Sequence, residues 1–228
     1  MHFAFLMSRV LLLDLDHTLY PSTLPTAPAV DSRITEYIRR HLNVSAEEAD
    51  ALRQNLWRRY GTTLKGLETL HGVNRDHYCD FIQDLDDASM PPPDPVLREW
   101  LIAAGGKIPT YLFTNARGDW AHRCLTLMGL SDLLTAEPPV LRGILDIGFL
   151  DWIGKPDIAA FAKTEQHVRD QHGDVRMIFA DDRLDNLEQA RVQGWFTIWV
   201  RPHDMDPKLG AAHRVVDSLI ELDVETLL

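Results

Sequence analysis

The sequence predicts an α/β fold with a parallel sheet and a helical insert behind the first strand, and three observations carry that expectation. The apolar run Val10-Leu11-Leu12-Leu13 stops abruptly at Asp14, as a strand buried on both faces does. From Pro95 onward, apolar runs alternate with helical patterns, the signature of repeated βαβ units. Between two proline-rich stretches, Pro21 to Pro28 and Pro91-Pro92-Pro93-Asp94-Pro95, the chain reads as helix throughout.

Taken in order, the insert is expected to hold helices at Asp31 to Leu42, Ser45 to Tyr60, Thr62 to His71 and Asn74 to Leu85, each with apolar residues at helical spacing. Ser45-Ala46-Glu47-Glu48 reads as a capping box, which also makes glycosylation of the Asn43-Val44-Ser45 sequon improbable. Gly61 and Gly72 stand where left-handed stop residues are wanted. The remaining strands are expected at Ile108 to Phe113, Val175 to Ala180 and Phe196 to Val200. The helices between them are expected at Pro95 to Ala104, Asp119 to Met128, Pro156 to His172 and Leu184 to Gln193. Val140 to Trp152 fits neither period cleanly, and a short strand leading to Gly154-Lys155 is the expectation there. The division that follows is a core of residues 1–21 and 91–228, with a helical cap of residues 22–90. The proline-rich linkers are expected to let that cap move as a unit over the strand ends.

Composition narrows the function. A chain of 228 residues with 45% hydrophobic content can bury a sizeable core. Its formal net charge of −11 argues against a general nucleic-acid or anionic-membrane binder, which needs a basic face. Cys79 and Cys124 fall in separate predicted helices without metal-ligand spacing, so they read as reduced thiols of a cytoplasmic protein. The apolar Met1-His2-Phe3-Ala4-Phe5-Leu6-Met7 lacks a basic leader and a small-residue cleavage site, so it is not expected to be an export signal. The histidines offer no zinc pattern: His167 and His172 are five apart and no His-Glu-x-x-His occurs.

In an open parallel sheet, ligands bind at the carboxyl ends of the strands. Four such ends carry polar clusters: Asp14 and Asp16 with Thr18; Thr114-Asn115-Ala116; Lys155; and Asp181-Asp182 with Asn186. Each alone has an ordinary reading as a turn, a helix cap or a solvated side chain. Their order and placement together point to phosphate chemistry. A phosphate monoester is a dianion that repels a carboxylate nucleophile until a divalent cation and basic groups neutralise it. Oxygen-only ligands favour Mg²⁺, which Asp14, the backbone carbonyl of Asp16 and Asp182 can supply, with Asp181 either a second ligand or an orienting acceptor. Lys155 and the Thr114 hydroxyl would hold the phosphoryl oxygens, and Asn186 would orient Lys155 or a carboxylate of the last pair.

The series hydrophobic-Asp14-x-Asp16-x-Thr18-Leu19, Thr114-Asn115, Lys155-Pro156 and Asp181-Asp182-x-x-x-Asn186 resembles the four motifs of the haloacid dehalogenase superfamily. The resemblance covers essentially the whole chain. It implies a Rossmann-like core with a C1-type α-helical cap, Asp14 as a transiently phosphorylated nucleophile, Asp16 as general acid and base, and Mg²⁺ as cofactor. Asp16-His17-Thr18-Leu19-Tyr20-Pro21-Ser22, Tyr60 to Leu67 and Thr114-Asn115-Ala116 are similar to the pyrimidine 5′-nucleotidase branch. That similarity implies a nucleoside monophosphate substrate. Thr18, Tyr20, Thr62, Thr63, Asn115, Ala116 and Arg117 are then the substrate-side candidates, with Tyr60, His77 and Tyr78 available to a base or simply packing the cap. Where relatives often carry Ser after the paired aspartates this chain has Arg183, which reads either as a surface residue or, like Arg117 directly after Thr-Asn-Ala, as added positive potential near the phosphate. A sugar-phosphate phosphatase, a phosphomutase and a catalytically silent binding protein are the competing functions.

Overall fold

The computed structural model describes residues 8–203, 205–206 and 212–228. The Met1–Met7 segment lies outside them. The described chain forms two compact units: residues up to Ser22 together with Pro92–Leu228, and Thr23–Pro91.

The first unit is built on a six-stranded, all-parallel sheet. Its strands are β1 (Arg9–Leu13), β2 (Thr110–Phe113), β3 (Leu141–Leu145), β4 (Arg176–Asp181), β5 (Phe196–Val200) and β6 (Arg214–Val216), in the order β3-β2-β1-β4-β5-β6. β1 is central, with Leu13 in register with Leu112 on one side and Ala180 on the other. Strand order reverses beside β1, between β2 and β4, which is where open parallel sheets bind ligands. Alternate side chains of β1 point to opposite faces. Val10 and Leu12 join a core of Tyr111, Phe113, Phe161, Phe179, Trp195 and Trp199, while Leu11 and Leu13 are fully buried on the other face. Each such leucine contributes about 2 kcal/mol of burial before chain entropy is counted.

The helices of this unit are α5 (Pro95–Gly105), α6 (Gly118–Leu127), α7 (Ile158–His172) and α8 (Leu184–Val192). The Asp94 carboxylate accepts from the amides of Val96 and Leu97, each at 3.0 Å, and Pro95 occupies the first helical position. The second proline-rich stretch therefore ends in a well-made helix start. β6 was not expected from sequence; it is three residues long and only one of them is buried.

The second unit is helical: α1 (Thr26–Leu42), α2 (Ala46–Tyr60), α3 (Thr63–His71) and α4 (Arg75–Gln83). α1 starts five residues before the expected Asp31 because Pro25 caps it and Pro28 lies in its first turn. Backbone amides there have no intrahelical acceptor, so proline costs little. The Ser45–Glu48 capping box forms in both directions, at 2.9 and 3.2 Å. Gly72 ends α3 at φ 62°, a left-handed conformation that glycine adopts without strain. Tyr37, Ile38, Leu56, Leu67 and Tyr78 form the buried interior of this unit. No helix among the described residues is long and apolar enough to cross a membrane.

Candidate active site

The carboxyl ends of β1, β2 and β4 and the loop before α7 place Asp14, Thr114, Asp181 and Lys155 around one point. Lys155 organises it. Its ammonium, 2% exposed, donates to Asp14 Oδ1 at 2.8 Å, Asp181 Oδ2 at 2.7 Å and the Phe113 carbonyl at 2.7 Å. The rings of Phe113 and Phe179 lie 4.9 and 5.1 Å from Nζ, so the cation rests on two aromatic faces as well as three acceptors.

The loop carrying Lys155 is pinned by Asn115. The Asn115 amide donates to the Lys155 carbonyl at 2.8 Å and accepts from the Lys155 amide at 2.7 Å. A side chain at Gly154 would come within 2.7 Å of Asn115 Oδ1, so the clasp needs glycine there. The Asn115 side chain is thus committed to the backbone of the lysine loop. Thr114 is buried and its Oγ1 accepts from the Ala116 amide at 3.0 Å, which leaves its own hydroxyl proton to donate. Thr18 Oγ1 lies 3.4 Å from Asp14 Oδ2.

Asp181 is fully buried and saturated: Lys155 and Asn186 reach one oxygen, the Arg183 amide and Asn186 the other. Asn186 therefore orients the carboxylate of Asp181. The Asp182 carboxylate is more open and lies 3.6 Å from His17 Nδ1. Arg117 and Arg183 each pair with an aspartate two residues on, Asp119 at 2.8 Å and Asp185 at 2.5–3.0 Å.

Burial pushes Asp14 and Asp181 up to about 6, against the opposing pull of Lys155, and neighbouring carboxylates add to the push. Asp182 is also raised by burial, with His17 acting against it. Lys155 is raised in spite of burial because Asp14 and Asp181 flank it. The site therefore carries more negative charge than its lysine neutralises. Oxygens of Asp14, Asp181 and Asp182 all lie within 4.8 Å of one another. Three carboxylates, no thiolate or imidazole among them, and surplus negative charge fit a hard divalent cation.

The raised carboxyls have a measurable consequence. A carboxyl whose folded-state pKa is raised stabilises the fold below its ordinary value near 4, and that stabilisation is lost as pH climbs through about 6. Metal-free protein should therefore melt at lower temperature at pH 7 than at pH 5, and Mg²⁺ should raise the melting temperature more at pH 7. Thermal unfolding at the two pH values, with EDTA or Mg²⁺, checks this; an equal metal effect at both would contradict it.

Two contacts at the site go beyond what the motifs indicate. His17 adopts φ 65°, a left-handed conformation, with its ring toward Asp182. Asp16 Oδ1 accepts from Trp120 Nε1 at 3.0 Å and from the Tyr20 hydroxyl. Trp120 sits on the inward stripe of α6 with Ala121, Cys124 and Leu125. A buried indole needs an acceptor, and that is the only sequence hint of its role. The remaining candidates belong to the helical unit. There Thr62 caps α3 by accepting from the Lys65 amide at 3.1 Å, and the buried Thr63 hydroxyl donates to the Arg53 carbonyl at 3.4 Å. Tyr78 and His77 pack on Tyr37, with ring centroids 5.0 and 5.5 Å away.

Fold and site together define an α/β protein of the haloacid dehalogenase fold, with a helical insert after the first strand and a carboxylate cluster at the strand ends. The chain superposes on a putative HAD-hydrolase, YfnB, from Bacillus subtilis bound to magnesium. The TM-score is 0.58 and the identity 16%, over 94% of this chain and 96% of that one. It also superposes on the L-2-haloacid dehalogenase of Xanthobacter autotrophicus, with TM-score 0.58 and 14% identity over 97% and 98% of the two chains. For the L-2-haloacid dehalogenase RSc1362 the values are 0.61 and 12%, over 97% and 99%. In sequence it is similar to Phosphate metabolism protein 8 of Saccharomyces cerevisiae. The two are 28% identical over 202 residues, covering 82% of this chain and 59% of the yeast protein. The match thus spans less than two thirds of that relative's length. No protein-family model matches the chain.

Proposed function

We propose that the protein is a Mg²⁺-dependent phosphomonoester hydrolase that works through an aspartyl-phosphate on Asp14, with nucleoside 5′-monophosphates, pyrimidine ones first, as substrates. The observation that carries the reading is the pairing of buried Asp14 with Lys155 beside Asp181 and Asp182, while Asp16, two residues on, is held apart from that cluster. The carboxylates of Asp14 and Asp182 and the backbone carbonyl of Asp16 would hold the cation, with Asp181, its oxygens already filled by Lys155, Asn186 and the Arg183 amide, orienting Lys155 beside it; the cation's charge offsets the repulsion between nucleophile and phosphate.

The chain's own residues then divide the work. Lys155 fixes the Asp14 carboxylate in one orientation and lowers the cost of bringing a dianion to it. The Thr114 hydroxyl donates to a phosphoryl oxygen. Asp14 attacks phosphorus in line, Asp16 protonates the departing alcohol, and Asp16 as carboxylate then takes a proton from the water that releases phosphate. An alkoxide leaving group requires such an acid, and a halide does not, which is why a carboxylate at position 16 favours phosphatase over dehalogenase chemistry. Similarity to a yeast protein named for phosphate metabolism supports the same class. The cluster recognises only the phosphoryl group. The nucleotide assignment therefore rests on the resemblance carried by Asp16 to Ser22, Tyr60 to Leu67 and Thr114-Asn115-Ala116.

Phosphate release from a panel of nucleotides and sugar phosphates, with Mg²⁺ or EDTA, tests both parts. The expected result is metal-dependent release, with kcat/KM for UMP and CMP above that for AMP. Sugar phosphates outpacing every nucleotide would remove the nucleotide assignment. Isomerised product without free phosphate would make the protein a mutase, and no turnover or phosphoenzyme with any donor would remove the enzyme reading altogether.

A further inference from the structure

Two buried donors converge on one oxygen of Asp16. Tyr20, 4% exposed, reaches Oδ1 from the turn that follows β1; Trp120, 5% exposed, reaches the same atom from α6 at 3.0 Å. No hydrogen bond from a described residue ends on Oδ2. We propose that Tyr20 and Trp120 are positioning residues for proton transfer by Asp16, holding its carboxyl by Oδ1 so that Oδ2 carries and delivers the proton. The inference rests on the reading of Asp16 as general acid and base.

The chemistry follows from the donor count. An O–H and an N–H fill the acceptor sites of Oδ1, so the neutral acid keeps its proton on Oδ2. As the bond from Asp14 to phosphorus forms, the bond from phosphorus to the alcohol oxygen breaks and its electron pair stays on that oxygen. The oxygen takes the Oδ2 proton, and Asp16 becomes a carboxylate. Both hydrogen bonds to Oδ1 are then made to a developing anion and become charge-assisted, stronger in the transition state than in the ground state. They also remove rotation of the carboxyl, so Oδ2 faces the same direction when it later accepts a proton from water. This gives buried Tyr20 a role at the acid rather than at a substrate base.

Leaving-group dependence separates positioning from mere packing, because p-nitrophenolate departs without a proton and a nucleoside alkoxide does not. Tyr20→Phe removes a single oxygen, and Trp120→Phe removes the indole donor while keeping an aromatic ring. For each, kcat/KM would be measured with UMP and with p-nitrophenyl phosphate, alongside Asp16→Asn. The expected result is that the UMP to p-nitrophenyl phosphate ratio falls roughly 10–100-fold in both variants, and at least as far in Asp16→Asn. Equal losses on both substrates, or none, in Tyr20→Phe and Trp120→Phe, with the differential loss kept in Asp16→Asn, would overturn the positioning role alone. Absence of a differential loss in Asp16→Asn would remove the acid assignment on which it rests.

Discussion

Asp14→Asn is expected to lower turnover at least about 10⁴-fold while leaving the fold intact. Asparagine keeps the volume and one carbonyl oxygen, but its amide cannot form the phosphoryl linkage. The structural cost is small because Lys155 keeps its bonds to Asp181 and Phe113. One ionisable carboxyl also leaves a crowded, buried cluster in which burial already raises it to about 6. Metal-free Asp14→Asn should therefore melt at the same temperature as the wild type or higher. It should yield no acid-stable protein-bound phosphate after quenching with labelled substrate. Turnover within tenfold of wild type would sink the nucleophile assignment. A collapsed melting temperature would instead show that the Asp14 charge is needed to offset Lys155.

Lys155→Met carries the largest expected effect on stability. Methionine fills most of the volume among Phe113 and Phe179, so the cavity contribution is minor and the loss is electrostatic. Asp14, Asp181 and the Phe113 carbonyl each lose a buried donor at 2.7–2.8 Å. Breaking a buried ion pair from one side costs about 3–5 kcal/mol, which for a protein of this size lowers the melting temperature on the order of 10 °C. Two carboxyls left without their cation should then take up protons more readily, so the deficit should be larger at pH 7 than at pH 5 and partly recovered by Mg²⁺. Calorimetry at both pH values reads it, and a loss below about 1 kcal/mol would mean that Lys155 is not the centre of the cluster.

The fold was readable because the strands of a doubly covered sheet announce themselves as apolar runs bounded by polar residues. β1, β4 and β5 are of this kind, with four or five buried residues each. β6 is not, because at the sheet edge only Val216 is buried and three residues show no period. The start of α1 was hidden by Pro25 and Pro28, which look like a linker until they are seen in a first turn. For the site, sequence order marks the strand ends, since Asp14 and Thr114 directly follow β1 and β2 and Asp181 closes β4, whereas Lys155 stands in the loop before α7, ten residues beyond β3. What it does not mark is any bond between distant elements. The Asn115 clasp on Lys155 and the Trp120 bond to Asp16 join residues whose neighbours in sequence carry no sign of the partner. The sharing of Asp16 Oδ1 by Tyr20 and Trp120 exists only once α6 is packed.

The central place of β1 bears on how the chain folds. Its partner strands arrive late: Leu11 waits for Thr110, about a hundred residues on, and Arg9 for Arg176 further still. The four helices of the insert make contacts close in sequence and are free to form early, whereas the strand that leads to Asp14 must remain unpaired with its apolar residues exposed. Closing such long loops is slow, and an unpaired Val-Leu-Leu-Leu segment is prone to associate with other chains meanwhile. Refolding should accordingly be limited by sheet assembly and lose yield as protein concentration rises, and the active centre, whose first residue directly follows that strand, is expected to be among the last parts of the molecule to be made.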